Sequence, residues 1–349
     1  MSSQATRVSF EEKNKTQEQS YTSTGDKLLF HKDALRDLRS KQNHPIVLHI
    51  MPTEVCNLKC VFCSVAQRGS EGKLFHDLTL DQIKFVIGKL QPLGLKAVIL
   101  SGGGEPTLYK PINELLAYLH AAGLEIGLIT NGILLSRNIS PANLKRLSWV
   151  RISANALDYV DDIEIPRLGR KTVLGFSYIW NPKTSSRIIK KIVAKIEEQR
   201  ETNPVTYVRM LPDCNLETAE LEKMHKKLHA VTRKLGDPFF HQYKTHNTPS
   251  ECHLGRVHPV LYTDGNIYPC DSLVLNSPPD DKRFHNKFAL CRWDEVGRFY
   301  RRKIAGSLVD TRNCPCCVFC RQNELLIKII AAKEKLPTPS ASLKHVNFV

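Results

Sequence analysis

Between residues 46 and 235 the chain alternates short apolar runs with amphipathic ones six times over, and this rhythm constrains its fold more than any other feature. IVLHIM (Ile46–Met51) reads as a buried strand ended by Pro52. Next, Ile83, Val86, Ile87 and Leu90 recur at helical spacing, with Thr79 and Gln82 set as a capping box and Gly94 as the stop. KAVILSG (Lys96–Gly102) predicts a second strand, a helix over Ile112–Ala122 follows, and EIGLITNG predicts a third strand running into a turn. A short helix near Leu144–Leu147 leads to strands in WVRISAN (Trp149–Asn155) and TVLGFSYIW (Thr172–Trp180). A helix over Ser186–Glu201, a strand in VTYVRML (Val205–Leu211) and a charged helix near Leu216–Leu235 complete the series. Such alternation implies parallel strands joined by right-handed crossovers, in an α/β barrel or an open sheet. Periodicity alone does not choose between them.

The flanks have a different texture. Residues 1–44 are polar, without sustained period, and are expected to form a flexible arm with at most a short helix near Asp33–Arg39. After Gly236 the composition shifts to Pro, His, Gly and Cys. The expected division is therefore an arm (1–44), a barrel domain (45–235), a small cysteine-rich α+β domain (236–336) and a poorly ordered tail (337–349). A last helix is expected over Asn323–Lys335. No apolar run approaches the roughly 18–20 residues of a membrane span, and the polar N-terminus lacks a secretory core. The expectation is a soluble, cytoplasmic protein with no membrane partner. A net charge of +15 favours anionic partners. The basic residues are scattered, as on a solvated surface, more than gathered as in a nucleic-acid groove.

Eleven cysteines in such a chain point to metal or redox chemistry. The first three lie in MPTEVCNLKCVFCSVAQ, immediately after the first strand, on the barrel face where chemistry is carried. Cys56, Cys60 and Cys63 place three thiolates on one short loop. With no local fourth cysteine, they would leave one iron of a cube open to another ligand. A zinc site completed by a distant histidine is the other reading of the same donors. SGGGEPT (Ser101–Thr107) follows the second strand. Its glycines admit close backbone approach to a ligand, and neither a dinucleotide fingerprint nor a P-loop is present.

Together CNLKCVFC and GGE, in order and each after the expected strand, resemble the radical S-adenosylmethionine (SAM) superfamily. The resemblance covers about residues 46–212 and implies a partial (β/α)6 TIM-type barrel. It implies a [4Fe–4S] cluster on Cys56, Cys60 and Cys63, whose fourth iron is chelated by SAM. It also places Phe62 against the SAM adenine and gives Gly103, Gly104 and Glu105 to the SAM ammonium group. By the same resemblance Asn131 and Ser153 contact SAM, and Arg209 meets a carboxylate of SAM or of substrate.

The second set comprises Cys252, Cys270, Cys291, Cys314, Cys316, Cys317 and Cys320. Asp264-Gly265, flanked by VLY and NIY, predicts a hairpin that brings Cys252 toward Cys270. A zinc ribbon would suit these pairs. The Cys252-x12-Gly265-x4-Cys270 spacing resembles the SPASM/Twitch extension of radical SAM enzymes, which holds an auxiliary iron–sulfur cluster. Cys314, Cys317 and Cys320 are too close for the two-cluster version, and no cysteine follows. The expected ligands of a single auxiliary [4Fe–4S] cluster are Cys252, Cys270, Cys317 and Cys320, with Cys314 as the rival.

The resemblance implies reductive cleavage of SAM to a 5′-deoxyadenosyl radical, hydrogen abstraction from a substrate C–H bond, and net oxidation or rearrangement. An electron donor such as flavodoxin or ferredoxin is implied with it. Cys214, after the sixth strand, is a candidate hydrogen donor for epimerisation. The short N-terminal segment is too small for a leader-peptide domain, which points to a small, anionic or nucleotide-like substrate, with nucleic acid or peptide as the alternative. A non-catalytic, zinc-bearing nucleic-acid-binding protein is the reading from another class.

Overall fold

Seven strands lie side by side in chain order in the computed structural model, which describes residues 9–63, 77–213, 216–244, 247–275, 287–314, 317–331 and 343–349. They are β1 (Val47–Ile50), β2 (Ala97–Leu100), β3 (Glu125–Thr130), β4 (Trp149–Ser153), β5 (Val173–Trp180), β6 (Val205–Pro212) and β7 (Phe239–His241). Each is parallel to its neighbour. Across the other edge of β1 lies β8 (Val260–Leu261), also parallel, followed by β9 (Asn266–Tyr268) and β10 (Cys291–Arg292) in antiparallel array. The sheet order is β10-β9-β8-β1-β2-β3-β4-β5-β6-β7, so the two ends are not joined and the barrel is partial. This is the α/β architecture expected from the alternation.

Local chemistry places these elements. Helix Leu80–Leu90 starts with the predicted capping box, Gln82 N donating to Thr79 Oγ1 at 3.2 Å and Thr79 N to Gln82 Oε1 at 2.9 Å. It buries Ile83, Val86, Ile87 and Leu90 on the sheet. The Asp264-Gly265 turn forms with Gly265 at φ +81°, which favours glycine. Inside the barrel, strand pairing sets Gly127 beside Trp149 and Gly175 beside Tyr207. A Cβ on either glycine would stand about 2 Å from the neighbouring ring. The bare backbone lets two large aromatics fill the deep layer of the lumen.

Three expectations need correction. Residues 9–44 do not form a loose arm: helix Phe10–Tyr21 and helix Lys32–Arg39 pack on the body, burying Leu28, Ala34 and Leu38. The first helix has few apolar residues, and polar contacts hold it. Asn14 both donates to His241 O at 3.0 Å and accepts from His241 N at 2.7 Å, satisfying the free edge of β7. Tyr21 stacks on Tyr207 at 4.4 Å.

The second correction concerns residue 235, where the barrel was expected to end. β7 extends the parallel sheet past it, and β8 joins the small domain to β1, with His49 N donating to Pro259 O at 2.9 Å. In the tail, residues 343–349 are packed, and Phe348 meets Trp149 edge-on at 5.2 Å. Those seven residues bury Leu343 and carry Phe348 and Val349 into a hydrophobic core with Trp149. The last helix runs Cys320–Ala331, starting three residues before its expected Asn323. Among the described residues no helix is long and apolar enough to cross a membrane.

Candidate active site

The loop after β1 carries Cys56, exposed, and Cys60 and Cys63, half-buried. Cys63 N donates to Cys60 O at 3.1 Å, and Val61 N donates to the Tyr159 hydroxyl at 2.9 Å. Tyr159 lies beneath the Lys183 ammonium, 4.0 Å from the ring centre. Burial, then the charges of Cys63, Cys56 and Asp158, push the Cys60 thiol up to about 12. Cys56 is raised by burial, with Glu105 and Cys63 adding to the effect. Each of these two thiols therefore lies in the electrostatic field of Cys63. A bound metal would deprotonate them by supplying positive charge. Among the described residues no three donors converge on a single point as a lone ion requires. A four-iron cube takes one thiolate per corner, and three cysteines on one loop supply three such donors.

The glycine loop braces the cysteine loop. Gly104 N donates to Thr53 O at 3.0 Å and Glu105 N to Val55 O at 2.7 Å. A Cβ on Gly104 would come within 2.2 Å of Val55 O, and one on Gly103 within 3.3 Å of the Tyr262 ring. Tyr262 in turn donates to Glu54. Glu105, which the resemblance gives to the SAM ammonium group, is buried and is a hydrogen-bond hub. Its Oε1 accepts from Thr107 N (3.0 Å), Thr107 Oγ1 (2.7 Å) and Thr130 Oγ1 (2.6 Å), and its Oε2 from Asn131 N (2.7 Å). A carboxylate taken from water needs such partners. Burial still raises its pKa, against the lowering by these bonds.

Asn131 extends the brace, its Nδ2 donating to Asn57 Oδ1 at 2.6 Å. Asn57, between Cys56 and Cys60, was missed in the sequence, where its only signal is its place inside the cysteine motif. Phe62 is half-buried beside Cys63. Ser153 is half-buried at the end of β4, opposite Ser177 in register. Cys214 lies outside the described residues.

Below this loop the barrel encloses a cavity of about 480 Å³. Strand residues His49, Arg151 and Arg209 line it, together with Gln242, Lys244 and Asp271. Glu18 and Gln19 close it from helix Phe10–Tyr21, and Arg321 and Gln322 from helix Cys320–Ala331. Burial pushes His49 down to about 4 and lowers His258, so both are neutral at neutral pH. Of this lining, sequence reading found only Arg209. The remainder comes from segments that carry no motif.

The second cysteine set lies beside β8 and β9. Burial, then the charges of Cys317 and Cys314, push Cys252 up to about 12. Burial, then Cys252, Asp271 and Cys317, raise the Cys270 thiol well above its usual range. These four cysteines thus share one electrostatic neighbourhood. Cys320 differs: its thiol donates to Glu324 Oε1 at 3.3 Å, and Glu324 precedes Cys317 among its charged neighbours. Cys291 faces Glu295 and Asp294, and Cys316 lies outside the described residues. Asn323 Oδ1 accepts from His253 N at 2.7 Å and Leu254 N at 3.1 Å, fixing the Cys252 loop to the last helix.

Residues 50–172 match the family model of the Radical SAM superfamily. An Fe-coproporphyrin III synthase of Methanosarcina barkeri is 36% identical over 125 residues, covering 35% of this chain and 30% of that protein. An AdoMet-dependent heme synthase of the same organism is 31% identical over 177 residues, covering 47% and 50%. A probable GTP 3′,8-cyclase of Sulfolobus acidocaldarius is 27% identical over 216 residues, covering 61% and 56%. The matches span between 30% and 56% of the length of these curated relatives.

Proposed function

Because this chain belongs to the radical SAM superfamily through residues 50–172, we propose that it is an enzyme that cleaves SAM reductively and takes hydrogen from a C–H bond of a small anionic substrate. The observation that carries this reading is a three-thiol loop, braced on a glycine loop, that follows a strand whose His49 lines a cavity shared with Arg151 and Arg209.

Cys56, Cys60 and Cys63 would hold the cluster. When bound, the cluster and SAM supply an electron and a 5′-deoxyadenosyl radical. The protein's contribution is to position groups and exclude water. The Glu105–Thr107–Thr130–Asn131 network fixes the cysteine loop through Asn57. Gly103 and Gly104 keep the backbone open beside it, and Phe62, Asn131 and Ser153 are the candidate contacts for SAM. Arg209 meets an acid group of SAM or substrate. Cys252, Cys270, Cys314 and Cys317 would hold a second, Twitch-type iron–sulfur centre, whose chemistry is one-electron transfer. Net oxidation or rearrangement follows from that pairing, with a flavodoxin- or ferredoxin-type donor supplying the first electron.

Anaerobic purification and metal analysis test the reading. A brown protein with about eight irons per chain, forming 5′-deoxyadenosine from SAM and reductant, is the expected result. Zinc alone, or no 5′-deoxyadenosine, defeats it.

A further inference from the structure

The deep end of the lumen narrows to a chamber of about 30 Å³ that shares Thr22, Ser23, Ile99 and Arg151 with the main cavity. Lys27 enters it from the Gly25–Phe30 turn and is 1% exposed. An ammonium has three donors. Among the described residues the Lys27 ammonium donates one hydrogen bond, to Phe348 O at a long 3.3 Å. Beside it, Arg151 lies over Trp149 at 5.6 Å and is bonded to Tyr207, leaving its buried Nε without an acceptor. His345 Nε2, in the same chamber, is also buried without a partner.

Neither cation makes an ion pair among the described residues. Glu125 is the carboxylate that acts on Lys27, and it acts less strongly than the like charge of Arg151. Across both spaces six cationic side chains (Lys15, Lys27, Arg151, Arg209, Lys244 and Arg321) face three carboxylates (Glu18, Asp26 and Asp271). Burial and Arg151 together push Lys27 down to about 7, as befits a buried cation lacking a counter-ion.

Buried polar atoms are normally satisfied, and in this chamber a buried guanidinium Nε lacks an acceptor beside a buried ammonium with a single long hydrogen bond. We propose that this chamber is an oxyanion subsite that holds a carboxylate of the substrate between Lys27 and Arg151. The chamber matches about one or two waters in size, which suits a small planar carboxylate head. The body of the substrate then fills the wider lumen, with its reacting carbon toward the cysteine loop. This inference rests on the reading of the lumen as the substrate cavity.

Calorimetric titration of the reconstituted full-length chain with acetate, succinate and inorganic phosphate tests it. Succinate and acetate are expected to bind. Arg151→Gln and Lys27→Met are each expected to weaken them by about tenfold or more, as for loss of one charge-assisted partner. Circular dichroism verifies that each variant is folded, and Arg151→Lys, which keeps the charge, is expected to recover part of the affinity. Equal carboxylate binding in both variants would overturn the subsite. Binding of phosphate without carboxylate would overturn the carboxylate assignment. Formation of 5′-deoxyadenosine by the wild-type chain is measured separately. Its absence removes the radical reading, whereas the titration alone decides the subsite.

Discussion

The two cysteine sites use the same ligand atoms in opposite settings. Cys56, Cys60 and Cys63 sit on a partly exposed loop whose shape is imposed by neighbouring loops, through Gly104, Glu105 and Asn131. Cys252 and Cys270 are built into the body, and Cys270 belongs to a hydrophobic core with Tyr268, Leu273 and Val274. On the proposed reading, three donors would leave a metal corner for an outside ligand, whereas four donors, Cys252 and Cys270 buried and Cys314 and Cys317 half-buried, would saturate a centre. The first arrangement suits chemistry on a bound molecule; the second suits electron storage and the holding of structure. The same contrast separates open catalytic metal sites from closed structural ones.

Removing one ligand from each site should therefore have different consequences. Cys60→Ala is expected to abolish 5′-deoxyadenosine formation and to lower iron by about half, with little change in melting temperature. Cys270→Ala is expected to lose the other half of the iron and to destabilise the fold by several kcal/mol, since metal binding at a buried site is also folding free energy. Iron analysis and thermal melts of the two variants side by side check this. Equal destabilisation by both would erase the distinction. Cys60 and Cys252 are both pushed up to about 12, so their thiols are protonated at neutral pH without metal. Loading either site then releases protons, and metal affinity falls as pH falls.

A smaller effect is expected from the brace. Gly104→Ala puts a methyl within 2.2 Å of Val55 O, a backbone atom that cannot rotate away. The cost should be about 1–3 kcal/mol, as for other forced overpacking. It should fall on the first site alone, reducing its iron occupancy while the second stays full. Mössbauer spectra of the two iron populations would show whether the loss is confined in this way.

These loops also mark where sequence reading succeeds and where it stops. The capping box at Thr79 and Gln82, the Asp264-Gly265 hairpin and the cysteine loop after β1 were legible because each is written in adjacent residues with one dominant physical cause. Helix Phe10–Tyr21 was not, because its hold on β7 is Asn14 bonding to backbone, which leaves no hydrophobic period to read. The role of Glu105 was half legible. Its motif was visible, but its partners Thr107, Thr130 and Asn131 converge only when β2 and β3 pair. The charge of the lumen was illegible for the same reason, since Lys27, Arg151 and Arg321 are distant in sequence.

The smallest effect tests which cysteines form the closed site. The sequence reading set Cys320 ahead of Cys314, although Cys314–Cys317 and Cys317–Cys320 are both Cys-x2-Cys pairs. The fold sets Cys320 at the first turn of its helix, where its thiol donates to Glu324 one turn on. The charged neighbours of Cys252 include Cys317 and Cys314 but not Cys320. Cys320→Ser keeps a donor for Glu324 and is expected to retain full iron, with a stability change below about 1 kcal/mol. Cys314→Ser should instead behave as Cys270→Ala does, losing half the iron. If Cys320→Ser loses the iron and Cys314→Ser keeps it, the closed site is centred on the last helix. The contrast with the open site then survives with a different fourth ligand.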